Sequence, residues 1–211
     1  MQQYIYSFNS WRRNFKAKFK IKKITKIFDL YRNNKIFYQG FDIDFKDRNN
    51  EIYRRFLFIH KKGVQIIPII FCKTDKQYYT ILVRQTRVGA ATETLEFPSG
   101  SVEKGETYSD AAKKEVLEEL GISLKKKNLK KIFKPLIIQP TFCNLTCQFF
   151  YFKLKLTKKK LLTFNNIKTG VRSDNETCIT VVKKIKDLNN LYYDSILIGL
   201  NFIEKKLKIK L

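Results

Sequence analysis

The segment that decides the fold reads GSVEKGE at residues 100–106 and, after seven further residues, KEVLEELGI at residues 114–122. Between these two pieces, residues 107–110 have the pattern of a capping box, which begins a helix. Gly121 has the position of a C-terminal helix stop, because glycine adopts the left-handed conformation that ends many helices. The sequence therefore predicts a helix over residues 107–120.

One side of this helix concentrates negative charge. At about 100° per residue, Glu115, Glu118 and Glu119 fall on the same side, next to an apolar stripe that can pack on a sheet. Clustered carboxylates repel one another, and hard oxygen ligands of this kind suit Mg²⁺. A solvated acidic helix face would have the same three residues. The residues that flank the helix decide between the two interpretations.

The glycines and glutamates around the helix have a spacing that resembles the Nudix box. The matching positions are Gly100, Glu106, Glu115, Glu118, Glu119 and Gly121, with Val116 and Ile122 at the two apolar positions. Lys114 is the one departure, since the family has arginine there and lysine lacks arginine's bidentate fork. The resemblance implies an α/β (α+β) fold, namely a Nudix α-β-α sandwich with a mixed sheet and an N-terminal antiparallel β extension.

Two elements before the helix resemble one branch of the Nudix family, the enzymes that cleave ADP-ribose and other nucleoside diphosphate sugars. They are Gln85-Thr86-Arg87 and Glu96-Phe97-Pro98-Ser99-Gly100. In that branch the residue at Ser99 offers its backbone carbonyl to a metal ion. The resemblance implies a site for Mg²⁺, or alternatively Mn²⁺, whose ligands are Ser99, Glu115, Glu118 and Glu119. Such a metal neutralises the diphosphate and helps to position water for attack on phosphorus.

The same resemblance implies roles for further residues. Glu118 and Glu176 are the candidate catalytic residues, and the candidate substrate contacts are Arg87, Tyr53, Arg54 and Glu96. The guanidinium of Arg87 suits phosphate oxygens, and Tyr53 occupies roughly the place of an aromatic that stacks on adenine. Alternatives stay open for three of them: Glu176 as a surface-loop acid, Tyr53 as strand packing, and Arg54 as a solvated strand residue.

Hydrophobic patterning predicts strands on both sides of the box. They cover residues 16–24, 36–38, 41–45, 52–59, 64–71, 78–83, 132–138, 148–156 and 177–182. A closing amphipathic helix is predicted over residues 191–208. We interpret residues 1–61 as a basic N-terminal β extension and residues 62–211 as the Nudix hydrolase domain. The extension has too few strands for a core of its own, and the resembled branch places this region between subunits, so we expect it to form a homodimer.

The composition restricts the class of protein. The 211 residues are 44% hydrophobic, enough for a sizeable core, and no uninterrupted apolar run has the length of a membrane span, so no membrane partner is predicted. The net charge of +24 would attract nucleic acid, but an A/T-rich genome would produce the same excess of lysine. The four cysteines are interpreted as reduced thiols. The predicted location is cytoplasmic, with an organelle or the nucleus left open because residues 1–28 contain no acid.

The leading hypothesis is a Mg²⁺-dependent hydrolase that splits ADP-ribose or a similar nucleotide sugar into a nucleoside monophosphate and a sugar phosphate. A first alternative is an RNA-acting Nudix protein, for example in cap hydrolysis, which the charge of +24 favours. A second alternative is a non-catalytic Nudix module that binds RNA. Such modules usually lose glutamates of the box, and this sequence keeps all of them.

Overall fold

A computed structural model describes residues 2–32, 34–170, 177–191 and 194–209 of the chain. Its helices are α1 (Gln2–Lys16), α2 (Tyr108–Leu120), α3 (Lys158–Leu162) and α4 (Asp194–Lys205). Its strands are β1 (Lys20–Arg32), β2 (Lys35–Lys46), β3 (Ile52–Ile59), β4 (Gly63–Cys72), β5 (Tyr78–Arg87), β6 (Thr92–Glu96), β7 (Ser99–Ser101), β8 (Lys130–Lys131), β9 (Leu136–Ile137), β10 (Thr146–Leu156), β11 (Lys168–Thr169) and β12 (Cys178–Lys184).

The chain divides into two units, which are described separately. Unit 1 consists of residues 1–63, 101–105 and 135–147. Unit 2 consists of residues 64–100, 106–134 and 148–211. Unit 1 therefore includes the whole N-terminal extension, and unit 2 includes helix α2 with its glutamates.

Unit 1 is built on the antiparallel sheet β1-β2-β3. The turn between β2 and β3 is stabilised by Asp47, whose carboxylate accepts hydrogen bonds from the backbone N–H groups of Asn49 at 2.8 Å and Glu51 at 3.0 Å. Helix α1 packs on one face of this sheet through three aromatic side chains, Phe8, Trp11 and Phe15, which surround a buried cluster of Ile36, Phe41, Ile43, Leu57 and Ile59. The extension therefore has an apolar core of its own, and the expectation that it has too few strands for one is wrong, because helix α1 covers the sheet.

The opposite face of the same sheet carries a second set of aromatic side chains, which we call the outer aromatic face and define as Phe28, Tyr38, Phe56 and Phe58. Their ring centroids lie 4.9–6.3 Å apart in the pairs Phe28–Phe56, Phe28–Phe58 and Tyr38–Phe58. Phe28 and Phe56 are each 38% exposed. Gly40 lies beneath the ring of Phe28, because a Cβ atom at Gly40 would lie 2.3 Å from Phe28 Cε1.

Unit 2 is organised around the larger sheet, in which the described strands follow the order β11-β12-β5-β4-β10-β8. Strands β6, β7 and β9 pair with β5, β4 and β10, respectively. The central strand β4 is buried on both faces, since Ile66, Ile67, Ile69 and Ile70 are at most 1% exposed. This confirms the prediction of a buried strand from the continuous apolar run at residues 64–71.

Helices α2 and α4 complete unit 2. The predicted caps of α2 are confirmed: Thr107 Oγ1 accepts from the backbone N–H of Asp110 at 3.2 Å, and Gly121 has a φ of +66°. Helix α4 approaches the sheet closely at Gly199, where a Cβ atom would lie 2.4 Å from Phe97 and 3.2 Å from Ile67. The combination of a small antiparallel sheet, a larger mixed sheet and few helices confirms the predicted α+β fold class.

The prediction of a strand over residues 132–138 is wrong. The ladder next to β10 ends at Ile132, whose N–H donates to the carbonyl of Phe149 at 3.1 Å, and it resumes with the two residues of β9. Pro135 lies in the gap and has no N–H for the ladder. The side chain of Gln148 takes over one free carbonyl, because its Nε2 donates to the carbonyl of Phe133 at 2.7 Å.

Two N-terminal predictions and the prediction of the closing helix need correction. Residues 2–16 form helix α1, so the predicted strand over residues 16–24 begins later, at Lys20. The separate strands predicted for residues 36–38 and 41–45 are parts of the single strand β2, which continues through Gly40. The closing helix is shorter than predicted, since α4 covers residues 194–205.

Within the described residues, no helix combines the length and the apolar composition needed to cross a bilayer.

Candidate active site

The segment before α2 and the end of α2 meet at Ser99 and Glu119. The backbone N–H of Ser99 donates to Glu119 Oε2 at 2.9 Å, a contact between residues twenty positions apart. The hydrogen bond fixes the carboxylate against the strand residue whose carbonyl is an expected metal ligand. Charge-assisted bonds from a backbone N–H to a carboxylate are stronger than neutral ones, so this contact orients Glu119.

A second contact joins the same two segments at Gly100 and Glu115. Glu115 is only 9% exposed. A Cβ atom at Gly100 would lie 1.9 Å from Glu115 Oε1, far inside van der Waals contact. Any larger residue at position 100 would push the carboxylate away, so the glycine is required for the close approach of backbone and side chain.

Glu118 and Glu119 are also anchored through their backbone. The hydroxyl of Thr169 donates to the carbonyl of Glu119 at 2.7 Å, and the N–H of Gly170 donates to the carbonyl of Glu118 at 3.1 Å. These bonds satisfy carbonyls in the last turn of α2, which have no partner within the helix. Lys114 Nζ lies 3.9 Å from Glu118 Oε2, a long contact in place of the bidentate geometry that arginine's fork allows.

The donors in this region fit Mg²⁺ by type. Three glutamate carboxylates and a backbone carbonyl form an all-oxygen set, which hard divalent cations prefer. The space that a side chain at position 100 would take is filled by the carboxylate of Glu115 itself. In the part of the chain that the structure describes, no three side chains of Asp, Glu, His or Cys form a ready-made metal cluster. The fit therefore rests on donor chemistry.

The hairpin of β5 and β6 brings Arg87 and Glu96 together, two residues that the sequence analysis assigns to substrate binding. Arg87 Nε and Nη2 donate to the two carboxylate oxygens of Glu96 at 2.9 and 2.8 Å. The hydroxyl of Thr94 donates to Glu96 Oε1 at 2.6 Å. Burial alone would raise the pKa of Glu96, but the hydrogen bonds from Arg87 and Thr94 outweigh it and hold the pKa below its usual value.

Tyr53 and Arg54 lie in unit 1, where neighbours on the same sheet hold them. Arg54 donates to both carboxylate oxygens of Asp44 at 2.6 and 3.0 Å, and this lowers the pKa of Asp44. Tyr53 donates its hydroxyl to Glu51, and its ring stacks on Phe45 with a centroid distance of 5.9 Å. Glu176, the other catalytic candidate, lies outside the described residues.

Thr94 and Thr169 were not singled out by the sequence analysis. Thr94 is almost fully buried and holds Glu96, while Thr169 holds the end of α2. A usable signal exists for Thr94, because it stands two residues before Glu96 in a strand, and residues i and i+2 share a face. No comparable signal exists for Thr169, whose partner is fifty residues away.

Three comparisons relate the chain to known proteins. A family model of the NUDIX domain matches residues 36–162. ADP compounds hydrolase NudE of Escherichia coli (strain K12) is 29% identical over 83 residues, which are 39% of this chain and about two fifths (41%) of that protein's length. A crystal structure of an ADP compounds hydrolase superposes with a TM-score of 0.62, covers 90% of this chain and 95% of its own, and at 19% identity supports the fold alone. Because the family model spans more than half of the chain, the protein belongs to the Nudix hydrolase family.

Proposed function

We propose that the protein is a Mg²⁺-dependent diphosphatase that cleaves ADP-ribose or a related nucleoside diphosphate sugar. The products would be a nucleoside monophosphate and a sugar phosphate. The observation that carries the proposal is the pair of contacts Ser99–Glu119 and Gly100–Glu115, which hold two carboxylates of the box against one strand segment. The partial likeness to a hydrolase of ADP compounds supports this class of substrate.

Each residue of the candidate site has a proposed task. The carbonyl of Ser99 and the carboxylates of Glu115, Glu118 and Glu119 would hold Mg²⁺, which when bound neutralises diphosphate charge and makes a bound water a better nucleophile. Attack of water on phosphorus would release one proton, and Glu118 and Glu176 are the two alternative acceptors that we propose for it. The attack forms one P–O bond and breaks the P–O bond to the leaving phosphate group.

The ion pair of Arg87 and Glu96 is the proposed substrate-binding element in unit 2. Its bidentate geometry fixes the guanidinium at the end of β5, and a guanidinium suits phosphate oxygens in position and charge. Glu96 is held ionised by the same contacts, since its pKa lies below the usual value. We assign Arg87 to the diphosphate and Glu96 to the support of Arg87 and of the metal-binding residues.

We further propose that residues 1–61 form the dimerisation region of a homodimer, and that Tyr53 and Arg54 contact the nucleotide. The outer aromatic face supports a role in association, because exposed aromatic clusters of this kind are typical of protein interfaces. Light scattering of the full chain at micromolar concentration should give the mass of a dimer. The variant Phe56→Glu should shift it toward the monomer, and a monomeric mass for the unmodified chain would overturn the dimer.

A substrate panel tests the proposed activity. The full chain would be assayed with Mg²⁺ on ADP-ribose, other nucleoside diphosphate sugars, dinucleotides and capped RNA, with products separated by chromatography. We expect the highest kcat/KM for ADP-ribose or another nucleotide sugar. A clear preference for capped RNA would replace this proposal with the RNA-acting alternative that the net charge of +24 favours. Absence of turnover on every compound would overturn both.

A further inference from the structure

Gln85 carries a buried side-chain donor for which residues 2–32, 34–170, 177–191 and 194–209 offer no hydrogen-bond partner. Its Nε2 atom is enclosed, yet it has no hydrogen-bond partner among the described residues. Buried polar groups are almost always paired, because an unpaired one loses its water without gaining a replacement. Each exception therefore calls for an explanation, and one explanation is a ligand that supplies the missing partner.

The register of the β5–β6 hairpin places this donor beside the proposed substrate-binding element. Gln85 pairs with Thr94 across the hairpin. The pairs two residues away on either side are Val83 with Glu96 and Arg87 with Thr92. Directly paired residues and residues two apart share a face of the sheet. Gln85 therefore lies on the same face as Arg87, Thr94 and Glu96.

The nearby acceptors are already engaged. Glu96 Oε1 accepts from Arg87 and from Thr94, and Oε2 accepts from Arg87. The backbone carbonyl of Gln85 itself is approached by the hydroxyl of Thr94 at 3.4 Å. Both carboxylate oxygens of Glu96, on the face of the hairpin that Gln85 shares, therefore already bind other donors.

We propose that Gln85 Nε2 donates to a phosphate oxygen of the bound nucleotide diphosphate, next to Arg87, which makes it a further substrate-binding residue. This inference rests on the proposed function. The amide nitrogen only donates, and a non-bridging phosphate oxygen only accepts, so the two are chemically matched. A ribose hydroxyl matches less well, because it brings a hydrogen that needs an acceptor of its own.

Thr80 provides a matched control in the same strand. Its Oγ1 is also buried without a partner among the described residues, and the residue is fully buried. Thr80 is an odd number of residues from Gln85, so it lies on the opposite face of β5. Replacing either side chain by an apolar one of similar shape removes an unpaired polar group, but only one of the two changes lies on the substrate face.

The test compares Gln85→Met and Thr80→Val in the full chain. Urea denaturation without ligand should give midpoints equal to or higher than that of the unmodified protein for both variants. With ADP-ribose and Mg²⁺, Gln85→Met should raise KM by about 10- to 100-fold with little change in kcat, whereas Thr80→Val should leave KM unchanged. Gln85→Glu, which exchanges the donor for an anionic acceptor, should raise KM at least as much.

Two results of this comparison would overturn the inference, and a third would call for a binding measurement. A normal KM for Gln85→Met means that the unpaired amide is a packing defect without a role in binding. A lower urea midpoint for Gln85→Met means that the amide has a structural partner in the folded protein. If the unmodified chain does not hydrolyse ADP-ribose, the proposed function fails, and calorimetry with ADP on the unmodified protein and Gln85→Met tests the inference by itself. Equal ADP affinity of those two proteins would overturn it.

Discussion

The candidate site in unit 2 and the N-terminal sheet of unit 1 differ in how they use their charged residues. In unit 2, Glu119 is bound by Ser99 and Thr169, which are twenty and fifty residues away in the chain. In unit 1, Arg54 is bound by its cross-strand neighbour Asp44. Cross-strand pairs stabilise a hairpin locally. Contacts between distant segments fix a carboxylate in space, as a reactive site requires.

Two glycines make the same comparison sharper. Gly100 and Gly40 both lie where a Cβ atom would collide with a side chain. At Gly100 the obstacle is the carboxylate of Glu115, whereas at Gly40 it is the ring of the partly exposed Phe28. We therefore expect a substitution at Gly100 to change chemistry and a substitution at Gly40 to change stability.

The largest expected effect is that of Glu115→Gln. Loss of one ligand charge from the proposed metal site should reduce kcat by about a thousandfold, because a metal-assisted barrier then rises by several kcal/mol. Glu93→Gln, an exposed glutamate of β6, is the control in the kinetic assay. Equal activity of both variants would remove Glu115 from the site.

The glycine pair gives the next largest effect. Gly100→Ala should lower kcat/KM by about a hundredfold, as expected when a small displacement misaligns a catalytic group. Gly89→Ala, where a Cβ atom meets nothing within 4 Å, should behave like the unmodified protein. Gly40→Ala should keep kcat/KM and lower the free energy of unfolding by about 1–3 kcal/mol. Loss of activity in Gly40→Ala at full stability would contradict the contrast between the two units.

A smaller effect is expected at Tyr53. If its ring stacks on the base of the nucleotide, Tyr53→Leu should raise KM by about tenfold and leave kcat unchanged, since stacking contributes about 1–3 kcal/mol to binding. Tyr31→Leu, an exposed tyrosine of β1, serves as the control. A KM for Tyr53→Leu equal to that of the control assigns Tyr53 to packing against Phe45 instead.

The smallest expected effect concerns the pH dependence of stability. The pKa of Glu96 is lowered in the folded protein. The ionised carboxylate therefore contributes fully to the free energy of unfolding above the unfolded pKa near 4.5, and this contribution is lost as the pH falls through the folded pKa. Thr94→Val removes one hydrogen bond to this carboxylate and should cost about 1–2 kcal/mol of unfolding free energy at pH 7. The difference from the unmodified protein, measured by denaturation in urea, should shrink at pH 4. A difference that is constant with pH would contradict the assignment.

Local sequence signals predicted the centre of the fold and the candidate site. Helix α2 is bounded by Thr107 and Gly121 as expected, because both caps act within a few residues of the helix end. The close approach of Gly100 to Glu115 agrees with the spacing of the box. The apolar run at residues 64–71 also predicted a buried strand correctly, since a continuous run of that length is consistent with a strand that is buried on both faces.

Features that depend on distant partners were not predictable. Helix α1 has Phe8, Trp11 and Phe15 at helical spacing, but the alternation of basic and apolar residues over 16–24 favoured a strand. The helix is stabilised by packing on β2, as the 4.2 Å distance between the rings of Phe8 and Phe41 indicates. Gln85 was part of a recognised element, yet its unpaired amide became visible only from the pairing register.

The most direct test of the central claim is the rate of ADP-ribose cleavage as a function of Mg²⁺ concentration. Metal-stripped full-length protein and its Glu119→Gln variant would be measured side by side, with both products quantified. The unmodified chain should depend on Mg²⁺ in a saturable manner and release nucleoside monophosphate and sugar phosphate in equal amounts. The variant should stay about a thousandfold slower at every concentration. A rate that persists in EDTA, or a variant as active as the unmodified chain, would contradict a metal-dependent diphosphatase centred on Glu115, Glu118 and Glu119.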